Sequence, residues 1–595
     1  MQERRMIMKV LFWIFFVLLN CLFTAVLELN KNTMPGWVML VTWIIVWLLF
    51  YRRRVVHMQW FVKGLAWISY IGVFALILRL TWPPVRAVPA VNHKNPVSTD
   101  VYETQYGPVS GVFSQDQSIE VFAGIPYAAP PVDELRWKAP QDPESWTEVR
   151  VCDHFAPMSM QSTNLPIYNS LAQIIGCHDY QISLHDNYRE PVSEDSLYLN
   201  IWKPAGDVKD CPVAVYIHGG SLQTGQPWYA DYSGEGYAKD GVICVNMGYR
   251  LGVFGFLADE QALKEDGTSG NYGLLDQIKA LQWVKDNIAS FGGDPDNVTV
   301  IGESAGAVCV DALCVSPLAS GLFDRAILES STVSSVQPPH SYRTLEEALA
   351  SSKELLARYN CASLDDLRKI PAEQIVGEQE TQHHVTIDGT VLPDSPYALR
   401  RSGVHNESAL LHGFNTEESG PFIIFSHASM KNYKDRIRTF FGEYADEVLA
   451  LYPAKNDIEA DRYWAQIYGA VFFNYSHYCL NRLAVESDIP VYEYLFSKHN
   501  GRLSSWHSGE MVYTFGVIPE GSKLYDAYDR QLSDIMHAYW VRFVTDGDPN
   551  SPDLPLWQVN TDSQRMMEFG DEVRMIHEPY LKLYEIMDRM QGFES

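Results

Sequence analysis

The stretch Val298-Thr299-Val300-Ile301-Gly302-Glu303-Ser304-Ala305-Gly306-Ala307 reads as a strand that passes through a tight turn into a helix. Four consecutive β-branched residues, from Val298 to Ile301, point to a strand buried on both faces, as in a parallel sheet. The small residues Ala305, Gly306 and Ala307 suit a helix that starts hard against that strand. Between them lies G-x-S-x-G, the pattern of a nucleophile elbow. Gly302 and Gly306 leave room where a side chain would strike the neighbouring strand or helix, so Ser304 can hold a strained backbone with its hydroxyl exposed. The helix dipole favours negative charge developing beside it.

Working outward, residues 197–202, 213–217 and 242–247 read as strands, and the segment around Phe122 to Ala128 as another. Residues 213–217 run into His218-Gly219-Gly220-Ser221, where glycines after a strand can turn backbone N–H groups into a cavity, as an oxyanion hole requires. Leu274, Leu275, Ile278, Leu281, Val284 and Ile288 recur at helical spacing, and Phe291-Gly292-Gly293-Asp294-Pro295 ends that helix before the serine strand. Strands alternating with helices predict an α/β fold with a largely parallel sheet. An elbow fold places its acid and then its histidine after later strands. The turn Gly413-Phe414-Asn415 delivers Glu417 and Glu418, and the strand 491–496 is followed by His499 and His507. Spacing leaves both pairs open.

A formal charge of -27 and a pI near 5.0 provide no basic stripe for phosphates, which sets nucleic acid aside as a partner. The nine cysteines include no C-x-x-C pair, so they read as buried thiols and not as a zinc site or a disulfide scaffold. No metal and no organic cofactor are expected.

The N-terminal segment differs in kind. Residues 10–29, 35–51 and 62–82 form three apolar runs with aromatic ends, and at about 1.5 Å per helical residue each approaches the roughly 30 Å of a hydrocarbon core. Only Asn20 and Glu28 interrupt the first. Arg4, Arg5 and Lys9 precede it, and Arg52, Arg53, Arg54 and Lys63 lie between the second and third, whereas the loop between the first two offers only Lys31. By the positive-inside rule the N-terminus is cytoplasmic and everything after Trp82 is extracytoplasmic, periplasmic if the cell is Gram-negative. The expected organisation is a transmembrane region 1–82, a Pro-rich extended linker 83–100 and a globular domain 101–595.

That domain resembles the type B carboxylesterases, the group of para-nitrobenzyl esterases, cholinesterases and the non-enzymatic neuroligins. The likeness is carried by Gly124-Ile125-Pro126-Tyr127, Glu194-Asp195-Ser196-Leu197-Tyr198-Leu199-Asn200, Asn246-Met247-Gly248-Tyr249-Arg250-Leu251-Gly252, Gly270-Asn271-Tyr272-Gly273-Leu274-Leu275-Asp276-Gln277 and residues 291–306. Further matches are Ile387-Asp388-Gly389, residues 413–419 and 507–516, and Gly547-Asp548-Pro549. The resemblance implies an α/β-hydrolase fold, hydrolysis of carboxylic esters through an acyl-enzyme, and no cofactor. It implies that Ser304 is the nucleophile, Glu418 the acid and His507 the base, with Gly220, Ser221 and Ala305 as oxyanion donors.

The chain also departs from the family. Ser196 and Ser159 stand where relatives carry a bridged pair of cysteines, leaving the intervening loop to packing alone or to a bridge through Cys152 or Cys177. That loop contributes a choline-binding tryptophan in cholinesterases; here it offers only Tyr168, Tyr180 and Tyr188, so choline esters are not the expected substrate. Ser221 and Leu222 replace smaller or aromatic residues beside the acyl site. The expected function is a membrane-anchored serine esterase acting on small or medium esters. The rivals are a catalytically silent, neuroligin-like binding module and a lipase drawing esters from the bilayer.

Overall fold

The computed structural model describes residues 2–92, 96–163, 167, 189–335, 342–377, 384–423, 426–562 and 564–592. The chain divides into two compact units, one formed by Met1–Ala87 with Thr163–Pro191, the other by Val88–Ser162 with Val192–Ser595.

The first unit holds the helices α1 (Gln2–Leu29), α2 (Met34–Arg53) and α3 (Trp60–Leu80). All three are long and apolar enough to cross a membrane. The apolar span within α1 is Lys9–Leu29, beside the expected 10–29, and the helix itself starts earlier, at Gln2, because the segment around Arg4, Arg5 and Lys9 contains no helix breaker. Aromatic rings form the seam between helices: Trp47 lies against Phe16, Trp67 and Tyr70, and Phe23 stacks on Phe74. Asn20, the polar interruption in the first run, accepts the Tyr70 hydroxyl at 2.7 Å and donates to the Phe16 carbonyl at 2.8 Å, so its amide is satisfied inside the bundle. Glu28 pairs with Lys31 at 3.0 Å.

The second unit is built on a 13-stranded sheet. Its strands in chain order are β1 (Ser98–Thr104), β2 (Gly107–Phe113), β3 (Ile119–Pro126), β4 (Tyr198–Pro204), β5 (Cys211–Ile217), β6 (Ile243–Met247), β7 (Gly293–Glu303), β8 (Arg325–Glu329), β9 (Ala409–Asn415), β10 (Val491–Phe496), β11 (Arg565–Phe569) and β12 (Val573–His577). A two-residue strand, Arg150–Val151, joins the edge against β2. In space the order is β1-β2-β3-β4-β6-β5-β7-β8-β9-β10-β11-β12, and the run from β6 to β11 is parallel throughout. The β-branched run that opened the sequence reading therefore lies mid-sheet.

Alternation decides what each face packs against. Val213, Val215 and Ile217 of β5, with Val298 and Val300 of β7, point to one layer, where helices α4 (Tyr272–Asn287) and α5 (Ala305–Val315) supply Leu274, Leu281, Ala307 and Val308. Ala214, Tyr216 and Ile301 point to the other, where α6 (Ala527–Asp546) supplies Leu532, Met536, Trp540 and Phe543. Strand β7 starts at Gly293, inside the segment 291–295 expected to end the preceding helix ahead of the strand. Gly293 pairs with Cys211, and a register irregularity before Val298 absorbs the proline-containing stretch. In the Pro-rich stretch 83–100 the Val91 N–H donates to the Asp153 carbonyl at 2.9 Å, the Pro89 carbonyl accepts the Phe155 N–H at 3.0 Å, and β1 begins at Ser98.

Candidate active site

Strand β7 ends at Glu303, and Ser304 caps α5 with φ 55° and ψ -123°, a conformation open to few residues with a Cβ. The elbow is held from both sides. The Ser304 N–H donates to the Glu329 carbonyl at 2.8 Å, and the Val308 N–H donates to the Ser304 carbonyl at 3.0 Å. A Cβ at Gly306 would come within 2.0 Å of the Ile217 carbonyl oxygen, so only glycine lets α5 start this close to β5.

His507 approaches from the loop after β10, its Nε2 2.8 Å from Ser304 Oγ and its Nδ1 2.6 Å from Glu418 Oε2. The other Glu418 oxygen accepts the Asn415 N–H at 2.7 Å, which fixes the carboxylate at the end of β9. Of the paired alternatives, Glu418 and His507 are therefore the ones gathered around Ser304. Glu417 and His499 face each other instead at 3.5 Å, each about half exposed. Phe422 and Phe473 flank the imidazole, with ring centroids 5.1 Å and 4.9 Å from it.

The sequence reading missed a second tier of buried acids. Glu303 Oε1 lies 3.5 Å from His507 Nε2 and accepts the Ser508 hydroxyl at 2.6 Å. Glu510 accepts the Ser330 hydroxyl at 2.8 Å and the Asn415 side-chain amide. Burial pushes Glu303 up to about 8, with the charge of His507 pulling the other way. For His507 burial opposes the charged form, but Glu303 and then Glu418 outweigh it and raise the imidazole to about 9.

Across from the elbow, the chain leaves β5 with Gly220, Ser221 and Leu222 at φ 108°, 56° and 58°. The sequence reading assigned this turn to its glycines; two residues bearing side chains share it. Among the described residues no acceptor meets the N–H groups of Gly220, Ser221 and Ala305. Of these residues Ala305 is buried, Gly220 half-buried and Ser221 exposed, and unpaired N–H groups at such a turn and helix start are free to donate to an oxygen that carries developing negative charge. No group of three or more His, Cys, Asp or Glu suited to a metal occurs among the described residues.

A family model described as the carboxylesterase family matches residues 98–586. The chain belongs to the carboxylesterase family. It is 32% identical to the fumonisin B1 esterase of Sphingopyxis macrogoltabida over 494 residues, which cover 80% of this chain and 87% of that one. It is 30% identical to mouse (Mus musculus) neuroligin-3 over 505 residues, 73% of this chain and 59% of the neuroligin. The crystal structure of the Geobacillus stearothermophilus carboxylesterase EST55 superposes with a TM-score of 0.69 at 30% identity, covering 82% of this chain and all of that one. The sheet between its helical layers is thus an α/β-hydrolase fold.

Within this carboxylesterase the two serines at the expected bridge positions meet each other. Ser159 Oγ lies 2.9 Å from Ser196 Oγ and donates to the Tyr249 carbonyl at 2.6 Å, all of it buried. A hydrogen-bonded seam thus stands at the two bridge positions, while most of the intervening loop lies outside the described residues. Cys152 is a buried free thiol. Cys177, Tyr168, Tyr180 and Tyr188 lie outside the described residues.

Proposed function

We propose that this chain is a membrane-anchored serine esterase that cleaves small or medium carboxylic esters through an acyl-enzyme. The observation that carries the reading is the line from Ser304 Oγ through His507 to Glu418, at 2.8 Å and 2.6 Å. Ser304 attacks the ester carbonyl while its proton passes to His507 Nε2, and Glu418 holds the Nδ1–H and offsets the imidazolium charge. The carbonyl oxygen becomes an oxyanion, accepting from the N–H groups of Gly220, Ser221 and Ala305. Collapse breaks the bond to the alcohol, which leaves with the proton from His507. Water then gives a proton to His507 and attacks the acyl carbon; the serine oxygen departs with that proton and the carboxylic acid is freed.

A fluorophosphonate tests this reading, because it bonds to an activated serine and not to a merely exposed one. Labelling is expected on Ser304 and absent from Ser304→Ala; labelling of a different serine overturns the assignment of Ser304, and none on the wild type returns the chain to the silent binding-module reading.

Helices α1, α2 and α3 are the proposed anchor. Arg4, Arg5 and Lys9 before the first span, and the arginine triplet with Lys63 between the second and third, support a cytoplasmic N-terminus with the esterase domain outside. Alkaline phosphatase fused after Val97 should be active and one fused after Arg54 inactive. The opposite pattern puts the domain in the cytoplasm.

A further inference from the structure

The segment from Gly220 to Gly225 follows a path that few surroundings would support. Gly220, Ser221, Leu222 and Gly225 have φ of 108°, 56°, 58° and 111°, and two of them pay the left-handed penalty of a Cβ. Such a run persists only where its neighbours over-determine it. Its entry is held by the Tyr249 hydroxyl, which donates to the His218 carbonyl at 2.8 Å. Burial pushes His218 down to about 4, and the neutral ring gives its Nδ1–H to the Gly219 carbonyl at 2.9 Å. Its middle is held by the Gly252 N–H, which donates to Leu222 at 2.6 Å.

Within the loop the Gln223 and Thr224 N–H groups and the Thr224 hydroxyl donate to the Gly220 carbonyl at 3.0, 2.9 and 3.2 Å, and from outside it the Gln161 side chain holds the exit. Gln161 Oε1 accepts the Gly225 N–H at 2.9 Å, while Nε2 donates to the Gly225 carbonyl at 2.7 Å and to the Ser159 carbonyl at 3.0 Å. Both donors and the acceptor of this amide are used, and the residue is only 4% exposed. The loop cannot relax away from it: a Cβ at Gly225 would stand 2.4 Å from His218 Nδ1, so the exit is pressed against the entry. Gln161 is itself anchored through Ser159, whose hydroxyl donates to Tyr249 at 2.6 Å and lies 2.9 Å from that of Ser196. Tyr249 thus receives from Ser159 and donates to His218, closing the brace on the loop it supports.

We infer that Gln161 is a positioning residue for ester hydrolysis, its amide clamping Gly225 so that the Gly220 and Ser221 N–H groups stay aimed at the tetrahedral oxygen. This rests on the assignment of those two groups as oxyanion donors. Gln161 touches no reacting atom. Its effect passes through the backbone of the loop, where small displacements of donors are costly in the transition state and nearly silent in the ground state.

Gln161→Met keeps the shape and removes all three bonds. Per active site titrated with fluorophosphonate, its kcat is expected to fall about 100-fold with KM little changed, since about that factor follows from a small misplacement of catalytic groups. A trifluoromethyl ketone, which forms a tetrahedral adduct on serine, should lose affinity in step with kcat/KM, whereas a folding defect would lower only the titrated fraction. Gln161→Glu adds a readout that packing cannot mimic. Its carboxylate has no donor for the two carbonyls, but its protonated form regains an O–H, so its kcat relative to wild type should rise as pH falls. If Gln161→Met does not fold, that ratio decides. A Gln161→Met enzyme with wild-type kcat per site, or a flat Gln161→Glu ratio, overturns the inference. An inactive Ser304→Ala beside a fully active Gln161→Met overturns it alone; an active Ser304→Ala overturns the function it rests on.

Discussion

His507→Ala is expected to lower kcat by about 10⁶-fold, the scale on which loss of the base alone removes the action of the whole catalytic unit. His507 is the group within reach of both Ser304 Oγ, at 2.8 Å, and Glu418, at 2.6 Å. Without it the serine hydroxyl keeps its proton at any pH where the protein is folded, and the oxyanion donors alone supply the remaining rate. His499→Ala should leave kcat close to wild type, because His499 is half exposed and its contacts are Glu417 and Ser505. Steady-state hydrolysis of a p-nitrophenyl ester by the two purified variants checks this. An active His507→Ala beside an inactive His499→Ala would move the base eight residues upstream, to His499.

The elbow was legible because its evidence is local: β-branched residues, a glycine pair and small residues at a helix start all lie within ten positions of one another. The parallel core was legible for the same reason, as Val213, Val215 and Ile217 alternate with Ala214 and Tyr216 on two buried faces. Choosing between Glu417 and Glu418, or between His499 and His507, was beyond spacing, because the deciding contacts close over 89 and 203 residues. Resemblance chose where local chemistry could not.

The brace at Gln161 had no signal at all. Its partner lies 64 positions away, and a glutamine two residues after a serine reads as surface chain. The Ser159 and Ser196 pair was visible only as an absence of cysteine, and the hydrogen bond between them required both coordinates. Ser221 and Leu222 show the opposite limit: glycine is the usual marker of positive φ, so a turn that spends strain on two other residues is misread as a property of its glycines. The start of β7 was placed after Pro295 because the glycines and the proline end the preceding helix, whereas pairing of Gly293 with Cys211 already opens the strand there.

Glu418→Gln is expected to cost about 10⁴-fold in kcat, less than loss of the base but far more than the loss of one exposed charge. The carboxylate accepts on both sides, from the Asn415 N–H at 2.7 Å and from His507 Nδ1 at 2.6 Å. Glutamine has one acceptor oxygen. If that oxygen keeps the Asn415 N–H, the amide NH₂ faces His507 and can be satisfied only by an unprotonated Nδ1. The imidazole then carries its proton on Nε2, pointing at Ser304, and cannot take the serine proton. If the oxygen turns to His507 instead, the Asn415 N–H meets a donor and the imidazolium loses its counter-charge. Either orientation fails in the transition state while leaving the ground-state pocket filled, so KM and Tm should move little. Glu417→Gln should behave as wild type, since Glu417 is exposed and its side chain pairs, among the described residues, with the half-exposed His499. Parallel kcat, KM and Tm measurements on the two variants decide the matter: equal losses in both, or none in Glu418→Gln, would mean that the acid lies elsewhere. The buried second tier offers Glu303 as the next candidate, 3.5 Å from His507 but on the Nε2 side, where it cannot set the tautomer that base catalysis needs.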